Sequence, residues 1–368
     1  MSLDSLAHRI AREDGVAPSV VIAASVRREG WVRATAAGGR LTYAADAAVV
    51  EPGTPFDLAS VTKPVTALLA ARLVRSGAFS WATPLGALLE EARGTASENV
   101  PLELLLAHRA GLEGHLPLFA PLVVGEPVDP RAMLVTAASA RRQDCAGEPP
   151  PHGFPPVYSD LGYLLAGEAM ARACGHSLDA LVQSEVAAPL GLKLGSARQC
   201  RKVDPAFAER VAPTEVFVWR GGLVAGLVHD ENAWALAGDG LCGHAGLFGH
   251  AMDVLRLGEA ILDALDGRLP EWLRPSEIDP LVRERAGGTL RMGFDGKSGE
   301  ASSAGRLFGP RTFGHLGFTG TSLWMDPDRA LVGVLLTNRV HPSRENTAIR
   351  QARPKVYDAI ARWADELC

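Results

Sequence analysis

Three short stretches of this 368-residue chain carry side chains able to make and break an acyl bond. The first is Ser60-Val61-Thr62-Lys63. Residues three apart on a helix share a face, so the Lys63 amine can reach the Ser60 hydroxyl. A serine hydroxyl is a weak nucleophile until a neighbouring base takes its proton. A lysine serves as that base only where burial or nearby positive charge lowers its pKa. If Ser60 opens a helix, its own N–H has no partner there and is ready to bind a developing oxyanion. The chain has five lysines, and only Lys63 has a serine three residues before it. The plainer alternative is an N-cap followed by a solvated lysine.

Tyr158-Ser159-Asp160 is the second stretch, between the Pro-rich segment 147–156 and a helical pattern over residues 161–173. A phenol ordinarily has a pKa of about 10 and becomes a useful base only beside a cation such as Lys63. Taken alone, Tyr158 fits a half-buried packing residue and Asp160 a helix N-cap. The third stretch, residues 314–320, includes His315, Gly317 and Phe318. Glycines flanking a strand let a ligand approach the backbone, and free N–H groups there would complete an oxyanion hole. A turn leading into a strand at Ser322 is the plainer alternative. His229, Asp230, Glu231 and Asn232, with His244 and His250, could be drawn as a metal site, since imidazole and carboxylate suit zinc. Their spacing fits no dedicated metal motif. The expectation is no metal and no cofactor, with His229, Asp230 and His244 shaping a substrate-binding cleft wall.

For these stretches to meet, distant parts of the chain must share one scaffold. Residues 19–26 and 31–36 read as a hairpin, and residues 54–59 as a short strand. From Ser60 the pattern turns helical, with Val61, Val65, Leu68, Leu69 and Leu73 at helical spacing and Gly77 as a stop. Pro64 falls in the first turn, where its missing N–H costs least. Strand signals return at 322–325 and 331–337, and residues 345–367 read as a closing helix. Strands near both ends with helices between them predict an α/β (α+β) fold. An antiparallel sheet flanked by helices would use residues 1–80 and 300–368. Residues 81–299 would form an inserted, mostly helical lobe carrying Tyr158.

Bulk properties narrow the partners. A net charge of −5 supplies no basic field, which argues against nucleic acid. The five cysteines (Cys145, Cys174, Cys200, Cys242, Cys368) are unclustered and read as reduced thiols rather than a disulfide framework or a zinc site. Residues 1–20 carry charges through an amphipathic pattern and lack the apolar run of a signal peptide. No stretch is long and apolar enough to span a bilayer. The expectation is a cytoplasmic protein with no membrane partner that acts on a small molecule.

The order Ser-x-x-Lys, Tyr-x-(Asn/Asp), (Lys/His)-x-Gly resembles the serine β-lactamase and penicillin-binding protein superfamily. Within it, the chain looks like the class C-type branch, with its esterases, D-amino-acid peptidases and amidases. Residues 104–112, 243–249 and 337–342 also resemble segments of that branch, so the likeness covers nearly the whole chain. The resemblance implies that Ser60 is the acylated nucleophile, Lys63 its hydrogen-bonded helper and Tyr158 the proton shuttle. It counts His315 among the catalytic residues and Asp160, Gly317 and Phe318 among the substrate-binding ones, and implies an oxyanion hole made by the N–H groups of Ser60 and Phe318. The implied activity is hydrolysis of an ester or amide, with a cell-wall-recycling muramoyl-L-alanine amidase as one version. A small-ester carboxylesterase and a D-amino-acid peptidase are others. Outside this class stand a metallohydrolase and a sensor that is acylated without turnover.

Two departures modify these expectations. His315 stands where penicillin-recognising members usually carry lysine, and an imidazole is only fractionally charged near neutral pH. Asp160 stands where asparagine is common, and an ionised aspartate accepts hydrogen bonds without donating any. Asp160 should pair with Lys63, raise the amine's pKa and leave Tyr158 as the working base. Together the two changes predict poor turnover of β-lactams.

Overall fold

The computed structural model describes residues 2–367; Met1 and the thiol expected at Cys368 lie outside the described residues. A six-stranded antiparallel sheet runs, edge to edge, Trp31–Gly39, Ser19–Arg27, Leu331–Thr337, Ser322–Asp326, Phe313–Leu316 and Asp295–Gly296. Its centre joins the two ends of the sequence, with Val20 opposite Thr337 and Ser25 opposite Val332. Side chains on a strand alternate between faces, and here both faces are apolar. Val20, Ile22 and Ala24 point to one layer, where Leu6 and Ile10 of the Leu3–Arg12 helix meet Val356, Tyr357 and Ile360 of the Ile349–Asp365 helix. Val21 and Ala23 point to the other, which holds Val254, Leu255 and Ile261 of the Ala251–Leu265 helix.

The expected hairpin and the two late strands are present. The structure differs from expectation in four places. Residues 54–59 yield only Phe56–Asp57, paired with Leu247–Gly249 outside the main sheet. The helix after Ser60 opens as a 3-10 turn, Ala59–Val61, before Thr62–Arg75 becomes α-helical. The Ala251–Leu265 helix and the Asp295–Gly296 strand, both inside the segment expected as the helical lobe, belong to the sheet and its covering layer. The closing helix starts only at Ile349.

The remaining middle of the chain is largely helical, with Asp160–Cys174 packed against Leu102–Leu106 and against the Thr62–Arg75 helix. Ser159 caps the first of these helices through its hydroxyl, and Gly175, in a left-handed conformation at φ +67°, ends it. Among the described residues no helix is long and apolar enough to cross a membrane.

Candidate active site

Ser60 lies in the 3-10 turn, so its N–H is among the first-turn amides for which a helix offers no internal acceptor. The residue before it, Ala59, is held at φ +47°, which an L residue adopts only under constraint. The constraint is Asp57. Its Oδ1 accepts the Ala59 N–H at 2.7 Å, its Oδ2 accepts the His229 N–H at 2.8 Å, and its backbone carbonyl accepts the Thr319 hydroxyl at 2.8 Å. One buried residue thus fastens together the serine turn, the loop at His229 and the turn carrying Phe318. Burial raises its pKa to about 6, against the two N–H donors that pull it down.

Lys63 is fully buried. Its Nζ donates to Ser60 Oγ at 2.9 Å, to Asp160 Oδ1 at 2.7 Å and to the His244 carbonyl at 3.3 Å. An ammonium has three protons, and each has an acceptor here. Burial works to lower the amine's pKa, but the Asp160 carboxylate and Tyr158 reverse that and hold it above its ordinary value. The pairing expected from the sequence is present. Asp160 is not the N-cap: Ser159 Oγ accepts the Gly162 N–H at 3.3 Å, which leaves the Asp160 carboxylate free for Lys63.

Tyr158 lies across this cluster, with Lys63 Nζ 4.7 Å from its ring centroid. The residue keeps 36% of its surface open, on the cleft side. Even so, the protein packed around the phenol raises its pKa; Lys63 pulls it back and Asp160 pushes it up again. His108 stacks on the phenol ring at 4.8 Å, and His315 tilts against it at 5.9 Å. Burial, reinforced by Lys63, lowers the His315 pKa to about 3. Its Nδ1–H donates to the Leu316 carbonyl at 2.8 Å, leaving Nε2 as the lone-pair nitrogen. His108 is likewise held well below its ordinary value by burial first and by Lys63. The fractional charge expected of His315 is therefore corrected: burial makes it neutral.

The strand of His315 continues into Gly317, whose N–H donates to the Thr321 carbonyl at 2.8 Å. A Cβ at Gly317 would clash with the Thr321 side chain and come within 2.6 Å of the Leu58 carbonyl oxygen. Glycine is what lets this turn close onto the serine turn, and it brings Phe318 to the cavity that Ser60 lines.

A profile of the family described as Beta-lactamase matches residues 9–356. The chain belongs to the beta-lactamase family. This beta-lactamase family member is similar to a protein named putative D-alanyl-D-alanine carboxypeptidase from Salmonella gallinarum, at 30% identity over 209 residues, 52% of this chain and 47% of that one. It is also similar to N-acetylmuramyl-L-alanine amidase from Bacillus subtilis, at 32% identity over 207 residues, 50% and 44% of the two chains. The chain thus spans about half the length of the curated relatives it matches. Two solved structures share the fold at 20% identity. They are EstCE1, a hydrolase with promiscuous acyltransferase activity (TM-score 0.71, 97% of each chain), and a class C beta lactamase from Rhodobacter sphaeroides (TM-score 0.70, 98% of this chain and 99% of that one).

In this beta-lactamase family member the cavity before Ser60 has a volume of about 620 Å³, and Tyr158, Asp160, Gly317, Phe318, His229 and Asp230 line it with the serine. Lys63 and His315 stand behind that surface, buried against it. His244 is set back from the cavity, with Nε2 2.9 Å from Asp230 Oδ1. Burial opposes charge on both, yet each partner favours the charged form of the other, so the His244 pKa stands well above its usual value and that of Asp230 well below. His250 lies elsewhere, beside Pro55 and Lys193. Among the described residues no group of three or more His, Cys, Asp or Glu side chains is placed to hold a metal ion.

Several site residues escaped the sequence reading. Asp57 and His108 have no motif that marks them; His108 sat inside the 104–112 segment without an assigned role. The cavity is also lined by Phe119, Arg339, Arg344, Arg350 and Arg353. Asn232 holds Phe119 in place, accepting its N–H at 3.1 Å and donating to the Leu116 carbonyl at 2.8 Å.

Proposed function

We propose that this protein is a serine hydrolase that cleaves an ester or amide through an acyl-enzyme on Ser60. The observation that carries the reading is the position of Lys63 Nζ, 2.9 Å from the Ser60 hydroxyl and 2.7 Å from Asp160, with the Tyr158 ring against it. A lysine held protonated has no lone pair to receive the serine proton. The working base is then the Lys63–Tyr158 pair after it has lost one proton, because coupled groups titrate as a unit. In that form the phenolate accepts the proton from Ser60 Oγ beside the Lys63 cation, and later returns it to the leaving group. The N–H groups of Ser60 and Phe318 would bind the oxyanion, a contribution worth about 3 kcal/mol per donor in comparable sites.

The arginines of the cavity lining support a substrate that carries a carboxylate. Arg350 has no ion-pair partner among the described residues. The buried Arg353 guanidinium is bonded to the carbonyls of Gly317 and Thr321 and to no acid. A muramoyl-L-alanine peptide has such a group, in keeping with the name of the Bacillus subtilis relative. A simple ester does not, and a β-lactam would find neutral His315 and acceptor-only Asp160 where it needs a cation and a donor. The test is hydrolysis of p-nitrophenyl esters, muramoyl-L-alanine peptides and a cephalosporin, by wild type and Ser60→Ala. Ester or amide turnover that vanishes in Ser60→Ala supports the reading. Turnover that survives in Ser60→Ala, or is abolished by EDTA and restored by zinc, refutes it.

A further inference from the structure

Behind the cleft wall a second group of reactive side chains forms a line of its own. Cys242 Sγ lies 3.3 Å from His244 Nδ1, and His244 Nε2 lies 2.9 Å from Asp230 Oδ1. A thiol, an imidazole and a carboxylate in that order make a nucleophile, its base and the group that orients the base. The two ends of the line face different spaces. Asp230 lines the cavity of Ser60, whereas Cys242 lines a separate cavity of about 470 Å³ with His176, Asp179 and Arg198. The other described cysteines have no imidazole partner: Cys145 meets Arg142 and Asp144, and Cys200 meets the Gly195 carbonyl.

We infer that Cys242 is a modification site for hydroperoxides, reached from the second cavity and activated by His244 and Asp230. The Cys242–His244 pair reacts as thiolate and imidazolium, with the proton between them on Nδ1, and the sulfur attacks one peroxide oxygen. The S–O bond forms as the O–O bond breaks, the sulfur is oxidised to a sulfenic acid, and the departing hydroxide takes the proton from His244 to leave as water. Burial disfavours the imidazolium in this step, but the Cys242 sulfur and the Asp230 carboxylate on either side support it.

The loop that carries this thiol also holds the amine next to Ser60. Lys63 Nζ donates to the His244 carbonyl at 3.3 Å, and the Thr66 hydroxyl donates to the Gly243 carbonyl at 2.7 Å. Gly243 packs so tightly on Tyr163 and Gly167 that a Cβ would overlap the helix backbone. Oxidation replaces the thiol that contacts His244 Nδ1, and a shift of that imidazole or of its loop reaches Asp230 and Lys63. That consequence, loss of hydrolysis on oxidation, rests on the hydrolase reading; the modification itself does not.

The test treats the full chain with hydrogen peroxide, tags sulfenic acid with dimedone and reads each cysteine by peptide mass spectrometry, with ester hydrolysis followed in parallel. Cys242 is tagged ahead of Cys145, Cys174 and Cys200, and activity falls in step with the tag. Cys242→Ala starts with wild-type activity and resists peroxide. His244→Asn, or the milder Asp230→Asn if the first does not fold, slows tagging of Cys242 by roughly 100-fold, the low end of what a positioned base contributes. Tagging of another of these cysteines first, or an unchanged rate in both variants, overturns the site. A tagged Cys242 with full hydrolysis overturns the link to Lys63. A chain with no esterase or amidase activity before peroxide contradicts the hydrolase reading alone, and the tagging order still decides the modification.

Discussion

Two sets of residues around the cleft treat their polar groups in opposite ways. Around the serine turn every buried charge has its partner: Lys63 donates its three protons to three acceptors, and the Asp57 carboxylate oxygens accept from the backbone amides of Ala59 and His229. Elsewhere on the lining, His229 is buried with no hydrogen-bond partner on either ring nitrogen, its Nε2 standing 3.8 Å from Glu215, and Arg353 keeps an unpaired Nε. Buried polar groups are normally satisfied, and these two belong to residues that line the cavity, where a bound substrate is the available partner. The difference separates two tasks. The serine side is organised before substrate arrives, which is what electrostatic stabilisation of a transition state needs. The other set is completed by what binds in the cavity.

The largest expected effect falls on the organised side. Ser60→Ala should lower kcat/KM by about 10⁴-fold or more, as loss of a nucleophile does elsewhere, with the melting temperature nearly unchanged. A drop of less than tenfold would break the comparison at its strongest point. Asp160→Ala comes next, because it strands the Lys63 cation, which is 0% exposed. Removing one partner of a buried pair costs about 3–5 kcal/mol, and urea unfolding should show that loss. A cost under about 1 kcal/mol would mean that Asp160 is not the counter-ion.

A smaller effect tests the proton network. The phenol is raised by burial and by Asp160, and the amine is raised by Asp160, so the one-proton-deficient form is scarce at neutral pH. Activity should climb about tenfold per pH unit and still be rising at about pH 9, short of the raised tyrosine pKa. Asp160→Asn removes the anion that favours the protonated state of both groups and should move the rising limb to lower pH. A flat profile from pH 6 to 9, or a limb that moves upward in Asp160→Asn, would show that another base acts. The smallest effect belongs to the unfinished set. His229→Phe removes an imidazole that makes no hydrogen bond, so stability should change by less than about 1 kcal/mol, while KM rises several-fold and kcat stays near wild type. A large fall in kcat would place His229 in the organised half.

The sequence made the serine side legible because its parts are local. Ser60 and Lys63 are one helical turn apart, Ser159 and Asp160 are adjacent at a helix start, and the His315 strand announces itself with glycines. The antiparallel sheet was legible for the same reason, from β-rich runs near both ends. What could not be read depended on contacts between remote segments. Asp57 binds the amide of His229 and Cys242 lines up with His244 and Asp230 only after the chain has folded. The charge of His315 is not legible because its burial comes from packing, and composition or spacing says nothing about that. The Ala251–Leu265 helix was assigned to the lobe because its sequence position lies there, while its apolar face is what carries it onto the sheet.

The central claim is that Ser60 oxygen becomes covalently acylated. Acid-quenching the protein with a p-nitrophenyl ester during the first turnover, then digesting it for mass spectrometry, reads this directly. The account requires the substrate's acyl group on the peptide containing Ser60, gone again after turnover is complete. Product released while Ser60 stays unmodified at every quench time, or an acyl group found on another residue, would contradict it.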